Sequence, residues 1–598
     1  MRLTLLADLI PAGPILAAAL LAACAQHPAA PEDGPATAAI AADELAGHVG
    51  WLASDELEGR RSGSGMDLVA ADYLAARLAA AGLEPAGENG GWFQDFPIDL
   101  EPEPGDCLLR WSGGSWTDVG TVQASADGAV RGELVAVGYG LVLESHDQDD
   151  FRDHDAAGGI ALIRRYTMFG PNADPQFAAL GNLRRKIKNA AAAGAVGVVL
   201  GTHPDDVAQG GDPVIDFEDV PGTMPIPVVT VSPEQFAALE AACGGIGGRL
   251  GGVGIRAEVR RGRSVARNVL GLLPGARDEV VVVGAHYDHL GWGGQGSLAP
   301  GVHAIHNGAD DNASGTALTL ELAEALALGG ERPERGVLFA LWAAEEEGLY
   351  GSKYWVEHPT LPLDRVVANV NLDMVGRLQE GRITVGSAAT AAAFGPALAA
   401  ARRVLAERGS DLVIEEVGSE SPGGGGSDHM SFQAEKIPAL FFFSGLHADY
   451  HKPSDDADKL DYPRLADLGE AVAALVRAVA ASDSGSLAWV EPAPDPHAEQ
   501  REVTMARVWF GSIPDYGANP EGGGMQIAGT SPGGPAEKAG LKKGDIIKKV
   551  GQFEIVDIYD FMDALGSFSN GDTVDVVVVR DGKELTLPLT FFPRSAGD

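Results

Sequence analysis

Between residues 266 and 482, short unbroken apolar runs alternate with longer segments of mixed polarity. Val280–Gly284, Val337–Trp342, Val366–Leu372 and Ala439–Phe443 are such runs. They have the length and composition of strands buried on both faces. Between them, Ala313–Leu328, Thr390–Glu407 and Pro463–Ala481 read as helices. This alternation predicts an α/β layered fold with a mostly parallel central sheet. Ligands bind such sheets beyond the carboxyl ends of the strands.

Earlier in the chain a helical stretch begins near Ala42, and its apolar spacing continues through Leu68, Tyr73 and Leu74 to Leu78. Residues 25–116 and 266–482 are therefore expected to form one discontinuous domain. Residues 117–265 read as an insert with β-like runs Leu134–Val137, Ile160–Ile163, Val196–Leu200 and Pro227–Val231, and one amphipathic helix from Leu183 to Ala193. The insert holds no cluster of potential metal ligands. A Ser/Pro/Asp-rich linker over 483–500 leads to a small β-rich unit at 501–598.

The apolar run Ile15 to Ala23 behind Arg2 reads as an export signal, too short to span a bilayer. No later segment is long and apolar enough to do so. With 84 acidic against 44 basic residues, the net charge of −40 repels phosphate backbones and argues against nucleic-acid partners. Three cysteines in 598 residues exclude a disulfide-rich scaffold. Cys107 and Cys243 are open to one bridge or to two buried thiols.

The acids and histidines then change the picture. His286 and Asp288 directly follow the Val280–Gly284 run, and Asp311 precedes a helix. Glu345, Glu346 and Glu347 follow Val337–Ala344, Asp373 follows Val366–Leu372, and His451 lies in the loop after Ala439–Phe443. Singly, each has an ordinary account: a loop histidine, a solvated glutamate run, an aspartate capping a helix. Jointly, separate strand ends deliver nitrogen and oxygen donors to one sheet edge. Imidazole with carboxylate and no thiolate suits zinc.

The wording of these stretches resembles the double-zinc aminopeptidase family of co-catalytic zinc exopeptidases. The carrying motifs are Gly284-Ala285-His286-Tyr287-Asp288-His289, Gly308-Ala309-Asp310-Asp311-Asn312-Ala313-Ser314-Gly315, Ala344-Glu345-Glu346-Glu347-Gly348-Leu349, Asn371-Leu372-Asp373-Met374, Ser427-Asp428-His429 and Tyr450-His451, with the early Leu57-Glu58-Gly59-Arg60. The resemblance implies a phosphorylase/hydrolase-like three-layer peptidase domain holding two zinc ions. Asp311 would bridge them, with His286 and Asp373 completing one metal and Glu346 and His451 the other. Asp288 would hold the His286 imidazole. Glu345 would be the general base toward a zinc-bridging water, and Tyr450 would donate to the oxyanion or simply pack beside a ligand. His289, His303, His306 and His429 are expected not to be ligands.

Residues 117–265 resemble a protease-associated (PA) domain through Gly158–Ile163 and Ala191–Val198, and Pro535–Ile547 resembles a bacterial PDZ domain, which would bind peptides along a strand before Met525. Leu21-Ala22-Ala23-Cys24 resembles a lipoprotein signal. That resemblance implies cleavage before Cys24, a lipid anchor at Cys24, and a periplasmic or cell-surface location. The whole points to an exported zinc metalloaminopeptidase acting on peptide substrates. A glutamate-carboxypeptidase-like exopeptidase, a non-catalytic peptide-binding protein and a glutaminyl cyclase are the alternatives. No arginine cluster for a substrate carboxylate stands near the motifs, and no ligand is missing from them.

Overall fold

The computed structural model describes residues 38–592 apart from 144–147, 174–180, 218–219, 221, 295, 300–301, 418–425, 492–507, 515–519, 521–522, 531–533, 552, 557, 566–567, 569–570 and 581. The expected export signal and Cys24 lie outside the described residues, as does the second half of the expected linker. Two compact units are present: the chain up to Phe96 with Val265–Ala493, and Pro97–Ser264 with the chain from Pro494 onward.

The first unit is built on a nine-stranded sheet. Its order is Glu84–Pro85, Arg263–Leu273, Arg335–Trp342, Arg277–His286, Val366–Leu372, Ala439–Phe443, Arg382–Gly386 and Val413–Glu416, with Phe93–Asp99 paired to Arg263–Leu273. Arg335–Trp342, Arg277–His286, Val366–Leu372 and Ala439–Phe443 run parallel to one another. These are the four runs picked out by their unbroken hydrophobicity, and they are apolar because both faces are covered. On one face Val280, Val282, Leu338, Ala340 and Trp342 pack with Trp355 and Phe432. The alternate residues point the other way, toward the helices Gly315–Leu328 and Tyr462–Ala481 that lie against the same strands.

The expected helical stretch from Ala42 to Leu78 is interrupted. Helices span Ala42–Leu52 and Met66–Ala80, with a kinked turn over Asp55–Arg60 between them. Gly59 has φ +70, and a Cβ there would lie 2.4 Å from the His306 carbonyl oxygen. Close backbone approach therefore requires glycine and breaks the helix, which apolar spacing alone does not reveal.

In the second unit a seven-stranded sheet runs Val228–Val231, Gly197–Gly201, Ile160–Arg164, Gly128–Gly138, Arg249–Ala257, Leu108–Trp111, Gly114–Trp116. The last two strands precede residue 117, so this sheet recruits chain ahead of the expected start of the insert. Those strands are short and partly exposed, which is why no hydrophobic run marked them. The amphipathic helix is present at Leu183–Ala192. Cys107 and Cys243 are both free and buried. The C-terminal sheet runs Ser512–Pro514, Met525–Thr530, Ile546–Val550, Thr573–Arg580, Lys583–Thr590. Its core includes Phe510, Ile527, Ile547, Val576 and Phe591. No helix among the described residues is long and apolar enough to cross a membrane.

Candidate metal centre

The parallel strands end together, and their ends carry the donors. His286 is the last residue of its strand, opposite Trp342 in register. Its carbonyl accepts from Thr316 Oγ1 at 2.7 Å. Asp373 follows Leu372, and its amide donates to the Phe442 carbonyl. Its Oδ2 accepts from Ser427 Oγ at 2.6 Å, and Ser427 in turn accepts from Asn371.

Asp311 lies in the irregular turn Ala309–Ser314 that opens the helix Gly315–Leu328. The Asp455 carboxylate accepts from the amides of both Asp310 and Asp311, at 2.9 and 3.1 Å. Asn312 donates to the Leu372 carbonyl and accepts from the Met374 amide, which ties this turn to the strand end that carries Asp373. Glu345 and Glu346 leave the third strand after Ala344, whose φ is +56. Their amides donate to the Asp288 carboxylate.

Asp288 lies beside His286 and has a further contact that its motif position does not disclose. The His286 Nδ1 lies 3.3 Å from the Asp288 carbonyl oxygen and 3.7 Å from its carboxylate. The carboxylate also fixes the backbone of the glutamate pair.

These loops bring Asp311, Glu345, Glu346, Asp373, Tyr450 and His451 to one pocket, with the buried His286 against Asp311 and Asp373. His286 Nε2 is 3.3 Å from Asp311 Oδ1 and 3.4 Å from Asp373 Oδ1. His451 Nε2 is 3.2 Å from both Asp311 Oδ2 and Glu346 Oε2. Donors about 2.0–2.2 Å from a tetrahedral metal lie about 3.3–3.6 Å from one another, and the histidine–carboxylate distances of both trios are close to that spacing. Asp311 offers one oxygen to each trio.

The electrostatics agree. The buried Asp311 and Asp373 and the half-buried Glu345 and Glu346 face two imidazoles, and among the described residues the pocket lining contains neither lysine nor arginine. Burial opposes charge on His286, yet Asp373 and Glu345 hold it well above its ordinary range. Burial likewise opposes charge on His451, but Glu346 and Asp311 raise it to about 11. Glu346 is held at about 2 against burial and Asp311, chiefly by His451 and His289. Burial pushes Glu345 well above the usual carboxylate range. The site thus favours positive charge between its carboxylates, which is what a divalent cation supplies.

His289, expected to stand apart from the ligands, sits within the site. Its Nδ1 is 2.7 Å from Glu346 Oε1, and His289, Asp311 and Glu346 form a group able to hold a metal, beside that of His286, Asp311 and Asp373. Its partnership with Glu346 spans 57 residues, which motif position does not disclose. His429 is buried and stacks on Phe441 with ring centroids 4.4 Å apart. His303 stacks on Trp292. Tyr450 stacks on His451 at 3.8 Å and lines the pocket.

Two further residues support the site in roles that the sequence did not disclose, although Arg60 stands in one of the motifs. Arg60 is fully buried and donates to the carbonyls of Leu52, Tyr287, Asn307 and Gly308. It thereby cross-links the chain after His286 to the turn before Asp311. Asp455 is equally buried, and its only signal is its place four residues after His451.

Residues 268–476 match the model of Peptidase family M28, 130–239 that of the PA domain and 516–590 that of the PDZ domain. Aminopeptidase YwaD of Bacillus subtilis is 28% identical over 344 residues, covering 55% of this chain and 64% of that protein. An aminopeptidase of Pseudomonas aeruginosa is 32% identical over 238 residues, 38% of this chain and 37% of that protein. The chain thus spans less than two thirds of the length of these relatives. Among solved structures, BSAP, a zinc aminopeptidase from Bacillus subtilis, aligns at 22% identity over 76% of this chain and 99% of its own, with a TM-score of 0.45.

Proposed function

We propose that this chain, which carries a Peptidase family M28 domain together with PA and PDZ domains, is a zinc metalloaminopeptidase that releases N-terminal residues from peptides. The observation that carries the reading is the sharing of Asp311 between two donor trios, with Glu345 in the same pocket. His286 and Asp373 would hold one zinc, Glu346 and His451 the other, and Asp311 both. His289 supports Glu346 from behind.

Bound there, zinc supplies Lewis acidity toward a carbonyl oxygen and lowers the pKa of water. Glu345 takes the proton from the attacking water and returns it to the leaving amine. Tyr450 donates a hydrogen bond to the developing oxyanion; its hydroxyl stays protonated because burial and the surrounding carboxylates hold its pKa well up.

Specificity follows from the rest of the lining. The acidic cluster suits a free α-ammonium group, and among the described residues no pocket-lining arginine or lysine is there to hold a substrate carboxylate. This favours the aminopeptidase over a carboxypeptidase. Met374, Phe441, Phe443 and Leu446 form an apolar wall beside the carboxylates, suited to an apolar first side chain. In the PDZ domain, Ser512–Pro514 is an edge strand paired with Met525–Thr530, alongside which an extended peptide would add. Export with a lipid at Cys24 belongs to the same reading and would appear as added mass on the mature N-terminus.

The test is a panel of free, N-acetylated and C-amidated peptides followed by mass spectrometry, with and without a chelator. Stepwise loss from free N-termini, blocked by acetylation and by chelation, is expected. Loss from C-termini would replace this reading with the carboxypeptidase, and no cleavage by zinc-loaded protein would replace it with the binding protein.

A further inference from the structure

His451 is the donor least supported by the sheet. It lies in a loop with φ +52, the left-handed region that a non-glycine residue keeps only when its surroundings impose it. Those surroundings are residues 296–298. The His451 Nδ1 donates to the Gly296 carbonyl at 2.7 Å, and the Leu298 amide donates to the His451 carbonyl at 2.9 Å. Ring and main chain are thus clasped together, and the bond at Nδ1 leaves the Nε2 lone pair facing Asp311 and Glu346.

The clasp is part of a loop that cannot hold its own shape. Gly291, Gly293, Gly294 and Gly296 all have φ between +62 and +98, and glycine gives up more conformational freedom on ordering than any other residue. What orders the loop is His306, which is fully buried. Its amide donates to the Gly291 carbonyl at 2.8 Å. Its Nδ1 lies 2.9 Å from the Ala304 carbonyl and its Nε2 2.8 Å from Ser297 Oγ. A carbonyl only accepts, so Nδ1 carries the proton and Nε2 accepts from the Ser297 hydroxyl. Ser297 Oγ then accepts from the Ala299 amide. Gly293 lies against the ring, where a Cβ would come within 2.7 Å of the His306 Cε1. Burial also holds His306 below its ordinary pKa, in the neutral form these contacts require.

We propose that His306 is a positioning residue for the metal position served by Glu346 and His451. It acts through Ser297 on the Gly296 carbonyl, which orients the His451 imidazole. This rests on the two-zinc reading above.

The test uses the full chain, stripped of metal and titrated with zinc in a free-zinc buffer, reading zinc bound per chain and the thermal midpoint of the metal-free protein. Second-contact partners of metal-binding histidines contribute about 10–100-fold to affinity. His306→Ala is therefore expected to weaken one of the two zinc positions by about that factor, with the other position and the metal-free midpoint unchanged. His306→Gln, whose amide oxygen accepts from Ser297, should recover part of the loss. Ser297→Ala should weaken the same position by a smaller factor, and it keeps the inference open to refutation if His306→Ala does not fold.

Wild-type affinity at both positions in His306→Ala and Ser297→Ala would overturn the inference alone. So would equal loss at both positions together with a lowered metal-free midpoint, which marks a merely structural role. A wild-type chain that takes up no zinc would overturn the two-zinc reading first.

Discussion

The peptidase sheet and the sheet of the insert are built alike and used differently. Both have a parallel core of buried apolar strands with helices against them. In the peptidase sheet the strand ends release Glu345, Glu346 and Asp373 into a shared pocket, with His286 against Asp373. In the insert, the end of Ile160–Arg164 is closed by the buried Lys186, which donates to the carbonyls of Arg164, Arg165 and Tyr166. Arg164 itself is paired with Glu240 at 2.8 Å. Among the described residues, both groups able to hold a metal belong to the peptidase sheet. The layered architecture therefore provides an edge, and the residues placed on that edge decide whether it does chemistry or satisfies its own backbone.

The largest expected effect is at the peptidase edge. On the proposed two-zinc reading, Glu345→Gln should keep the fold and the metal content of the wild type while lowering turnover by about 10²–10⁴-fold, read from steady-state kinetics beside metal analysis. Turnover within a few fold of wild type would remove Glu345 from the chemistry and blunt the contrast between the two sheets.

Next is Lys186→Met in the insert. It leaves three backbone carbonyls without this partner at about 1–3 kcal/mol each, so the thermal midpoint should fall by at least about 6 °C. Hydrolysis of a short peptide at low temperature should be unchanged. A matching loss of turnover in the folded variant would give the insert's edge a catalytic role and break the comparison.

A smaller effect is expected at the pocket wall. Leu446 is 60% exposed and lines the pocket. Leu446→Ser should lower kcat/KM for a leucine-initiated peptide by about tenfold, a loss on the order of 1–3 kcal/mol at most for a few methylenes. An alanine-initiated peptide should be little affected. Equal loss on both peptides would show that this wall does not select the side chain.

The smallest is a slope. Burial lowers His429 to about 3, against about 6.5 in an unfolded chain. Between those values the unfolded state binds the proton and the folded state does not, so stability falls as pH drops from about 6.5 toward 3. His429→Phe, which keeps the ring against Phe441, should flatten that acid limb in thermal melts of chelator-treated protein. An unchanged slope would assign it to the carboxylates instead.

Legibility in the sequence followed the range of the interaction concerned. Val366–Leu372 and Ala439–Phe443 were readable to the residue because burial on both faces removes every polar position. Strands Leu108–Trp111 and Gly114–Trp116 were not, since their partly exposed residues leave no run. The break around Gly59 depends on a backbone nearly 250 residues away, so no local periodicity carries it.

The same distinction holds at the site. Chain pattern alone determined the parallel strands and which acids and histidines stand at their ends, because burial and strand termination are local properties of a few consecutive side chains. Only the tertiary structure decided that Asp288 holds the glutamate backbone, that His289 turns to Glu346, and that Asp455 anchors the turn of Asp311. Those contacts join loops 57 to 144 residues apart. Which atom meets which is set by how the loops pack, and packing direction is not written in the order of residues along either one.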